Sequence, residues 1–417
     1  MIYDVIGVGF GPSNIALAIA MQESRYPGKA LFVERNARAL WHEGMLLDHA
    51  DIQNSPLRDL ITPVNPRSYY TFINFLHQSG RFFHYLNVGL KYPLRKEFFR
   101  YVSWAASHFS NVSYNTNIAR VEFDHHNGDK VWRLTSSTGA QLLAKKLVLA
   151  TGRKLNIPSV SGLEGSPTVV HLTKYLQAID ALDRSASVAV LGGSQSAVEI
   201  LLDLMNKGFQ KIYSIHRSFS FRLKDTSPFS DEVYFPEFVD YYHGLPTAHR
   251  ARLDEQVRQT NYSSADSDVI DALYRMIYEE LLDGIHRLRI FRNYELTQVL
   301  NNGHLELTIG HLFNGATESL NVDLLVLATG FLDLGRDGRA ALPSLLKDIS
   351  HMFSWDGDYL KVKRDYSVSY TDECGPLPDL YLNGLCESSH GLGDAGSFSL
   401  VSIRARDILE SLGREIV

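Results

Sequence analysis

A short apolar strand, a glycine-rich turn and a helix occur twice in this chain, and both cycles close on the same four letters. The first cycle starts at Tyr3, turns through Gly7-Val8-Gly9-Phe10-Gly11-Pro12, takes helical spacing from Asn14 to Gln22, and continues in a second strand, Ala30 to Glu34. It closes at Leu149-Ala150-Thr151-Gly152. The second cycle runs from Ser187 to Leu191, turns through Gly192-Gly193-Ser194-Gln195-Ser196-Ala197 into a helix from Val198 to Met205, and closes at Leu327-Ala328-Thr329-Gly330. A strand, a glycine turn and a helix N-terminus together let the backbone approach a pyrophosphate. Two such units predict an α/β protein with two Rossmann-like dinucleotide-binding domains.

The two turns differ in what they select. Gly7 and Gly9 permit the tight turn and close approach, and Pro12 takes the third motif position, where the first turn of a helix tolerates it. Glu34, ending the next strand, is placed to accept hydrogen bonds from a ribose. In the second turn Ser194 replaces a motif glycine and can donate to a phosphate oxygen. Arg217 lies about 25 residues past Gly192, where an acid would mark NADH; a guanidinium suits a 2′-phosphate and favours NADPH. Two nucleotides in one chain imply a flavin, FAD, receiving hydride from NADPH. Thr329 and Gly330 are assigned to the cofactor site with the second turn. A dithiol reductase needs a close cysteine pair, and Cys374 and Cys386 are not one. The flavin is therefore expected to reduce dioxygen or a small acceptor.

Composition sets the setting. A chain of 417 residues exceeds what one core usually holds. A net charge of −6 without a long basic run argues against nucleic acid. The cysteines lack zinc-ligand spacing, so no metal is expected, and their scarcity suits a reducing compartment. Neither a signal peptide nor a membrane span is visible, so a cytoplasmic protein is expected. The expected domains are residues 1–160 with 366–417 for FAD, 161–222 with 297–365 for NADPH, and a smaller, mainly helical substrate-binding segment or lid at 223–296. Between about 50 and 110, helices are predicted near Tyr69–His77 and Glu97–His108, and a last helix at Ser402–Leu412.

Further segments carry a resemblance. They are GVGFGPSNIALAIA from Gly7, WHEGM from Trp41, IQNSPLRDL from Ile52, NPRSYYTFINFL from Asn65, GGSQSAVE from Gly192 and DTSPFSDEVY from Asp225. TNYSSAD from Thr260, DLLVLATGF from Asp323, RDY from Arg364 and SHGLGDAGSFSLVSIRAR from Ser389 complete the set. In this order the chain resembles the N-hydroxylating flavin monooxygenases of siderophore biosynthesis, the L-ornithine and L-lysine N-monooxygenases, and the ornithine enzymes slightly more.

The resemblance implies residue roles. Gly7, Gly9 and Pro12 would hold the FAD pyrophosphate, and Trp41, His42 and Gln53 would line the isoalloxazine. Gly192, Ser194, Gln195, Ser196 and Arg217 would hold NADPH. Arg58 and Asn261 would grip the substrate amino acid, with Ser399 near flavin and substrate; Gln53, Asn261 and Ser399 are the catalytic candidates. Standing alone, Asn261 reads as a turn residue and His42 as a packed or solvated histidine. The implied reaction reduces FAD with NADPH and hydroxylates a neutral side-chain amine with O2 through a flavin hydroperoxide, in a homotetramer or dimer. An alkyl ammonium ordinarily has a pKa near 10.4, so the site must favour the neutral amine, by positioning rather than by a dedicated base. Three positions depart from the family: Arg58 stands for Lys, Ser194 for Gly and Asp231 for Asn. The stretch Gly391–Ser399 also runs about one residue long, which loosens the pairing of Ser399 with the family serine. The alternatives are a diamine or other primary-amine N-hydroxylase, a Baeyer–Villiger or sulfur-oxidising monooxygenase, and a redox-sensing binding protein. The Baeyer–Villiger linker motif has only a partial match here, in Gly165, His171 and Tyr175.

Overall fold

The computed structural model describes residues 1–413 apart from 164, 302–303 and 337–339; positions 414–417, assigned above to the first domain, lie outside the described residues. Strand β1 (Ile2–Val8) leads into α1 (Pro12–Glu23) and β2 (Ala30–Val33). Helices α2 (Phe72–Gln78), α3 (Phe82–Val88) and α4 (Arg95–Ala106) follow, then β3 (Val112–Ser113), β4 (Ile118–His126), β5 (Asp129–Ser136) and β6 (Gln141–Leu149). The second unit holds β7 (Val169–His171), α5 (Tyr175–Ile179), β8 (Ser187–Leu191), α6 (Gln195–Asn206) and β9 (Lys211–His216). Helices α7 (Pro236–His243), α8 (Thr247–Val257) and α9 (Ser267–Leu282) are inserted before β10 (Leu288–Arg292). An antiparallel meander, β11 (Tyr294–Asn301), β12 (Leu305–His311) and β13 (Thr317–Val322), precedes β14 (Leu324–Leu327). A hairpin of β15 (Trp355–Asp356) and β16 (Tyr359–Leu360), then β17 (Leu380–Leu382), α10 (Glu387–His390) and α11 (Val401–Gly413) finish the chain.

Two sheets organise these elements. The first has the order β3-β2-β1-β6-β5-β4, with β17 also pairing β6; β1, β2, β3 and β17 run parallel and β4–β6 antiparallel. The second, β10-β9-β8-β14-β7, is parallel throughout. Leu147, Val148 and Leu149 of β6 are fully buried, as are Leu325 and Val326 of β14. Strands covered on both faces read as continuous apolar runs, which accounts for the matching closures in the sequence. Helix α1 is apolar nearly all round because it is wedged between the sheet and α11.

The structure moves three boundaries. Strand β10 lies within the expected helical segment 223–296, yet it pairs parallel to β9 and belongs to the second sheet. Residues Leu334, Leu342, Leu346, Phe353 and Val362, placed above in the 297–365 piece of the second domain, pack into the first core. Helix α9 lies on α6, with Leu273 in the second core. Helix α3, unforeseen, has no buried residue and hence little apolar periodicity to detect. The predicted helix at Tyr69–His77 starts three residues later, where Thr71 caps the amide of Asn74.

A buried polar chain ties the C-terminal return to the first glycine turn. Arg404 pairs with Asp394 at 2.9 Å and donates to Asn383 at 2.8 Å and to Ser13 at 3.0 Å. Asn383 donates to Asn14, and Asn14 donates to the Gly9 carbonyl at 2.7 Å. Asp394 also accepts the Cys386 amide. Breaking a buried pair leaves one charge uncompensated, at a cost of about 3–5 kcal/mol. Asp394→Ala is expected to lose stability on that scale in urea denaturation, whereas Asp394→Leu with Arg404→Met recovers much of it.

Candidate active site

Both glycine turns open at the carboxyl ends of their parallel strands, where open α/β sheets bind ligands. Between them lies one cleft of about 2380 Å³, lined also by the loops around Gln53, Asn261 and Ser399. Single small-molecule sites usually span roughly 300–1,000 Å³, so this cleft has room for more than one ligand.

The turns are built alike. A Cβ on Gly9, whose φ is +85°, would lie 2.5 Å from the Ala150 carbonyl oxygen; one on Gly192, at φ +147°, would lie 2.4 Å from that of Ala328. In each unit the turn glycine rests on the alanine carbonyl of the repeated closure. Gly7 packs under Phe32, while Gly11 is open. Glu34 accepts the Phe10 amide at 2.8 Å and the Asn36 amide at 3.0 Å, so its buried carboxylate braces the turn as well as facing the cleft. Ser194 is the N-cap of α6, and its hydroxyl makes no capping bond. Gln195 donates to Glu199 and accepts the Asp266 amide at 2.7 Å. Ser196 and Thr329 line the cleft beside it, and Thr329 donates to the Asn156 carbonyl. Arg217, just past β9, is exposed at the cleft and has no ion pair among the described residues. His171 of the partial linker motif instead holds the Gly330 carbonyl at 2.9 Å, a bracing role.

Trp41 packs edge-on against Phe398 at 5.0 Å and Phe98 at 6.0 Å. His42 has φ +51° and faces the cleft. Crowding by the cleft walls, then the charges of Arg95 and Arg153 and neighbouring His171, push its pKa down, although the residue is exposed at the cleft. Gln53, also left-handed, donates to Glu199 at 3.3 Å and accepts from Lys224 at 3.4 Å, so its amide has one orientation.

The expected substrate residues share one wall. Ser399 donates to Asn54 at 3.2 Å, and Asn54 donates to the Arg58 carbonyl at 2.9 Å. The Arg58 guanidinium lies 5.5 Å from the Tyr234 ring centre, and the Tyr234 hydroxyl reaches the Thr260 carbonyl next to Asn261. The Asn261 side-chain nitrogen is buried without a hydrogen-bond partner among the described residues. Such an orphan donor is costly unless a ligand satisfies it.

Four residues were not foreseen. Arg95 makes a bidentate pair with Glu199, at 2.8 and 2.9 Å, and donates to the carbonyls of Met45 and Asp51. Arg153, directly after the first closure, donates to Glu387 at 2.7 Å and to the Tyr262 hydroxyl at 2.9 Å. It also lies between the rings of Tyr262 and Phe331. Glu387 accepts from Tyr262 and from the Gly396 amide. Burial raises its pKa to about 7, against the opposing pull of Arg153. Two of them had a sequence signal: Arg153 follows LATG, and Glu199 ends the segment GGSQSAVE.

Two dinucleotide cradles opening on one cleft define a two-nucleotide oxidoreductase with paired Rossmann-type units. The chain belongs, more narrowly, to the L-lysine 6-monooxygenase/L-ornithine 5-monooxygenase family, which matches residues 1–333. It is 36% identical over 411 residues to an L-ornithine N(5)-monooxygenase of Burkholderia cepacia, covering 94% of this chain and 90% of that one. An ornithine N-hydroxylase of Kutzneria sp. 744 superposes with TM-score 0.91 at 30% identity, covering 100% of both chains. A cadaverine monooxygenase of Erwinia amylovora gives 0.86 at 29%, covering 100% of this chain and 95% of that one. The protein is an N-hydroxylating monooxygenase. Among the described residues no helix is long and apolar enough to cross a membrane.

The two glycines separate the two nucleotide sites experimentally. Gly9→Val is expected to purify without flavin while still binding NADP⁺, and Gly192→Val the reverse, read by flavin absorbance and by calorimetric titration. A Gly9→Val enzyme that retains flavin at parental affinity would refute the pairing of cradle and cofactor.

Proposed function

We propose that the protein hydroxylates the side-chain amine of a basic amino acid, L-ornithine before L-lysine, using FAD, NADPH and O2. The observation that carries this reading is the shared wall of Arg58, Asn261 and Ser399 in the cleft that both glycine cradles enter. The turn from Gly7 to Pro12 fits FAD, since a side chain on Gly9 would strike the Ala150 carbonyl and push the turn out of the shape that lets its backbone approach a pyrophosphate. Gly192, Ser194, Gln195, Ser196 and Arg217 fit NADPH. Reduced FAD supplies the oxygen-activating chemistry.

The chain's own residues then bind, orient and exclude water. Arg58 takes the α-carboxylate, and the Asn261 amide donates its unpaired N–H to the substrate. Ser399, held through Asn54 to the Arg58 loop, would hold the substrate beside the flavin when both are bound. Trp41, His42 and Gln53, which line the cleft, would lie against the flavin ring when FAD is bound. Burial disfavours the substrate ammonium and so raises the share of neutral amine. An arginine fork is larger than a lysine head and reaches farther, which shortens the room left for methylenes and favours ornithine; one methylene discriminates by roughly 1–3 kcal/mol.

Arg217→Ala is expected to lose most of the preference for NADPH over NADH, because a charge-assisted contact to the 2′-phosphate is removed. Equal use of both nucleotides by the parent enzyme would defeat that assignment.

For substrate, Arg58→Ala is expected to raise KM for ornithine at least tenfold, with putrescine a poor substrate of the parent. The measurement is hydroxylamine product by mass spectrometry together with the coupling of NADPH oxidation. Efficient, coupled hydroxylation of putrescine or cadaverine with ornithine inert would replace the amino acid by a diamine and leave the reaction class intact.

A further inference from the structure

The two cradles correspond residue by residue. In the first, the Gly9 amide donates to the Val33 carbonyl at 2.8 Å, and the residue after Val33 is Glu34. In the second, the Gly192 amide donates to the Ile215 carbonyl at 3.0 Å, and the residue after Ile215 is His216. His216 is therefore the counterpart of Glu34, and like it is buried in the cleft wall. It lies against its own turn, since a Cβ on Gly193 would meet the His216 Cβ at 3.1 Å. The ring Nδ1 is 3.1 Å from the Ser218 hydroxyl oxygen, and that hydroxyl donates to the Ser220 carbonyl at 2.9 Å. A hydroxyl has one hydrogen, so Nδ1 carries the ring proton and Nε2 presents a lone pair. Nε2 is buried without a hydrogen-bond partner among the described residues. Phe221 covers the ring at 4.8 Å. The charge that acts across the sheet is Arg292, its register partner on β10; the loop that follows adds Arg217, and the Gly193 turn adds none. Burial lowers the pKa of the ring, a bond to Ser218 opposes it, and Arg292 lowers it further.

A carboxylate in this place accepts from ribose hydroxyls and repels a 2′-phosphate; an imidazole can change its charge to suit either. We propose that His216 is a specificity-determining residue whose Nε2 takes up a proton from solvent as NADPH binds and donates it to the adenosine 2′-phosphate. With NADH the ribose hydroxyl donates to the unprotonated Nε2, and no proton is taken up. The inference rests on the assignment of NADPH to the second cradle and deepens it. A bound phosphate raises the pKa of the ring above its value in the free protein. The added affinity is full below the free-state pKa and is lost as pH rises through the bound-state pKa. Arg217 is charged throughout and gives no such dependence. The second ionisation of the phosphate itself, near about pH 6, acts in the opposite direction.

The test is calorimetric titration of NADP⁺ and of NAD⁺ into the oxidised, FAD-loaded enzyme. Paired buffers of different ionisation enthalpy count the protons taken up on binding. At about pH 7 the parent is expected to take up a large part of one proton with NADP⁺ and none with NAD⁺. Its affinity for NADP⁺ is expected to fall roughly tenfold towards about pH 9, the scale of one charge-assisted hydrogen bond, while that for NAD⁺ stays within about twofold. His216→Gln, neutral at every pH, is expected to abolish the uptake, to weaken NADP⁺ roughly tenfold at about pH 7 and to leave NAD⁺ within about twofold. If the parent prefers NADP⁺ without taking up a proton, or if His216→Gln leaves the uptake intact, the inference fails with NADPH still the cofactor. The parent's two nucleotides decide this even where the variant folds poorly. Equal parental affinity for NADP⁺ and NAD⁺ means that the NADPH assignment itself has failed, a result distinct from the others.

Discussion

The bidentate pair between Arg95 and Glu199 joins the two halves of this enzyme. Arg95 begins α4 in the first unit; Glu199 lies one turn into α6, the helix of the second glycine turn. Both side chains are largely buried, which is costly for charges unless every donor and acceptor is used. Here they are used. Each terminal nitrogen of Arg95 also donates to a carbonyl, of Met45 or of Asp51, and Glu199 also accepts from Gln195 and Gln53. One ion pair thus sets the second helix relative to the loop that carries Gln53, and so one cradle relative to the other. The same junction is packed tightly at Gly44, where a Cβ would lie 2.0 Å from the Thr173 carbonyl oxygen, and Met45 enters the second core.

Around that junction the inserted segment is held in place by a second buried charge cluster. Arg153 contacts Tyr262 and Phe331 and pairs with Glu387, so one guanidinium connects the first closure, the inserted segment, the second closure and the C-terminal return. Asn261 is the neighbour of Tyr262, and its amide abuts Gly396, whose amide is bound to Glu387. The unpaired donor of Asn261 therefore sits against backbone that Glu387 holds by a hydrogen bond. This is how a polar group is kept oriented before a ligand arrives. Burial pushes the Glu387 carboxyl up and Arg153 pulls it back down, so the cluster depends on that pairing.

Much was readable before any coordinates. The strand, glycine turn and helix cycles are local, and the need for a backbone near a phosphate is met by a few adjacent residues. The matching closures have the same physical cause in both units, a buried parallel strand whose alanine carbonyl lies under the turn glycine. Boundaries were less legible. Strand β10, Leu-Arg-Ile-Phe-Arg, is an edge strand with one solvent face, and its charges masked it at the end of a helical stretch. The apolar residues between Leu334 and Val362 announce burial, but not which of two cores receives them.

By itself, then, the amino-acid sequence determined two nucleotide units, the family and the residues of both turns, because each depends on contacts within about 30 residues, the length of a strand–turn–helix unit. It also supplied Arg58, Asn261 and Ser399 through resemblance. Only the tertiary structure decided that those three share a wall and that Arg58 lies over the Tyr234 ring. Only it paired Arg95 with Glu199 across 104 positions and Arg153 with Glu387 across 234. Ion pairs of that separation leave no periodic trace in a chain. They exist because the fold sets α4 beside α6 and the first closure beside the C-terminal return, and it is that packing, rather than any local motif, that brings the charges within reach.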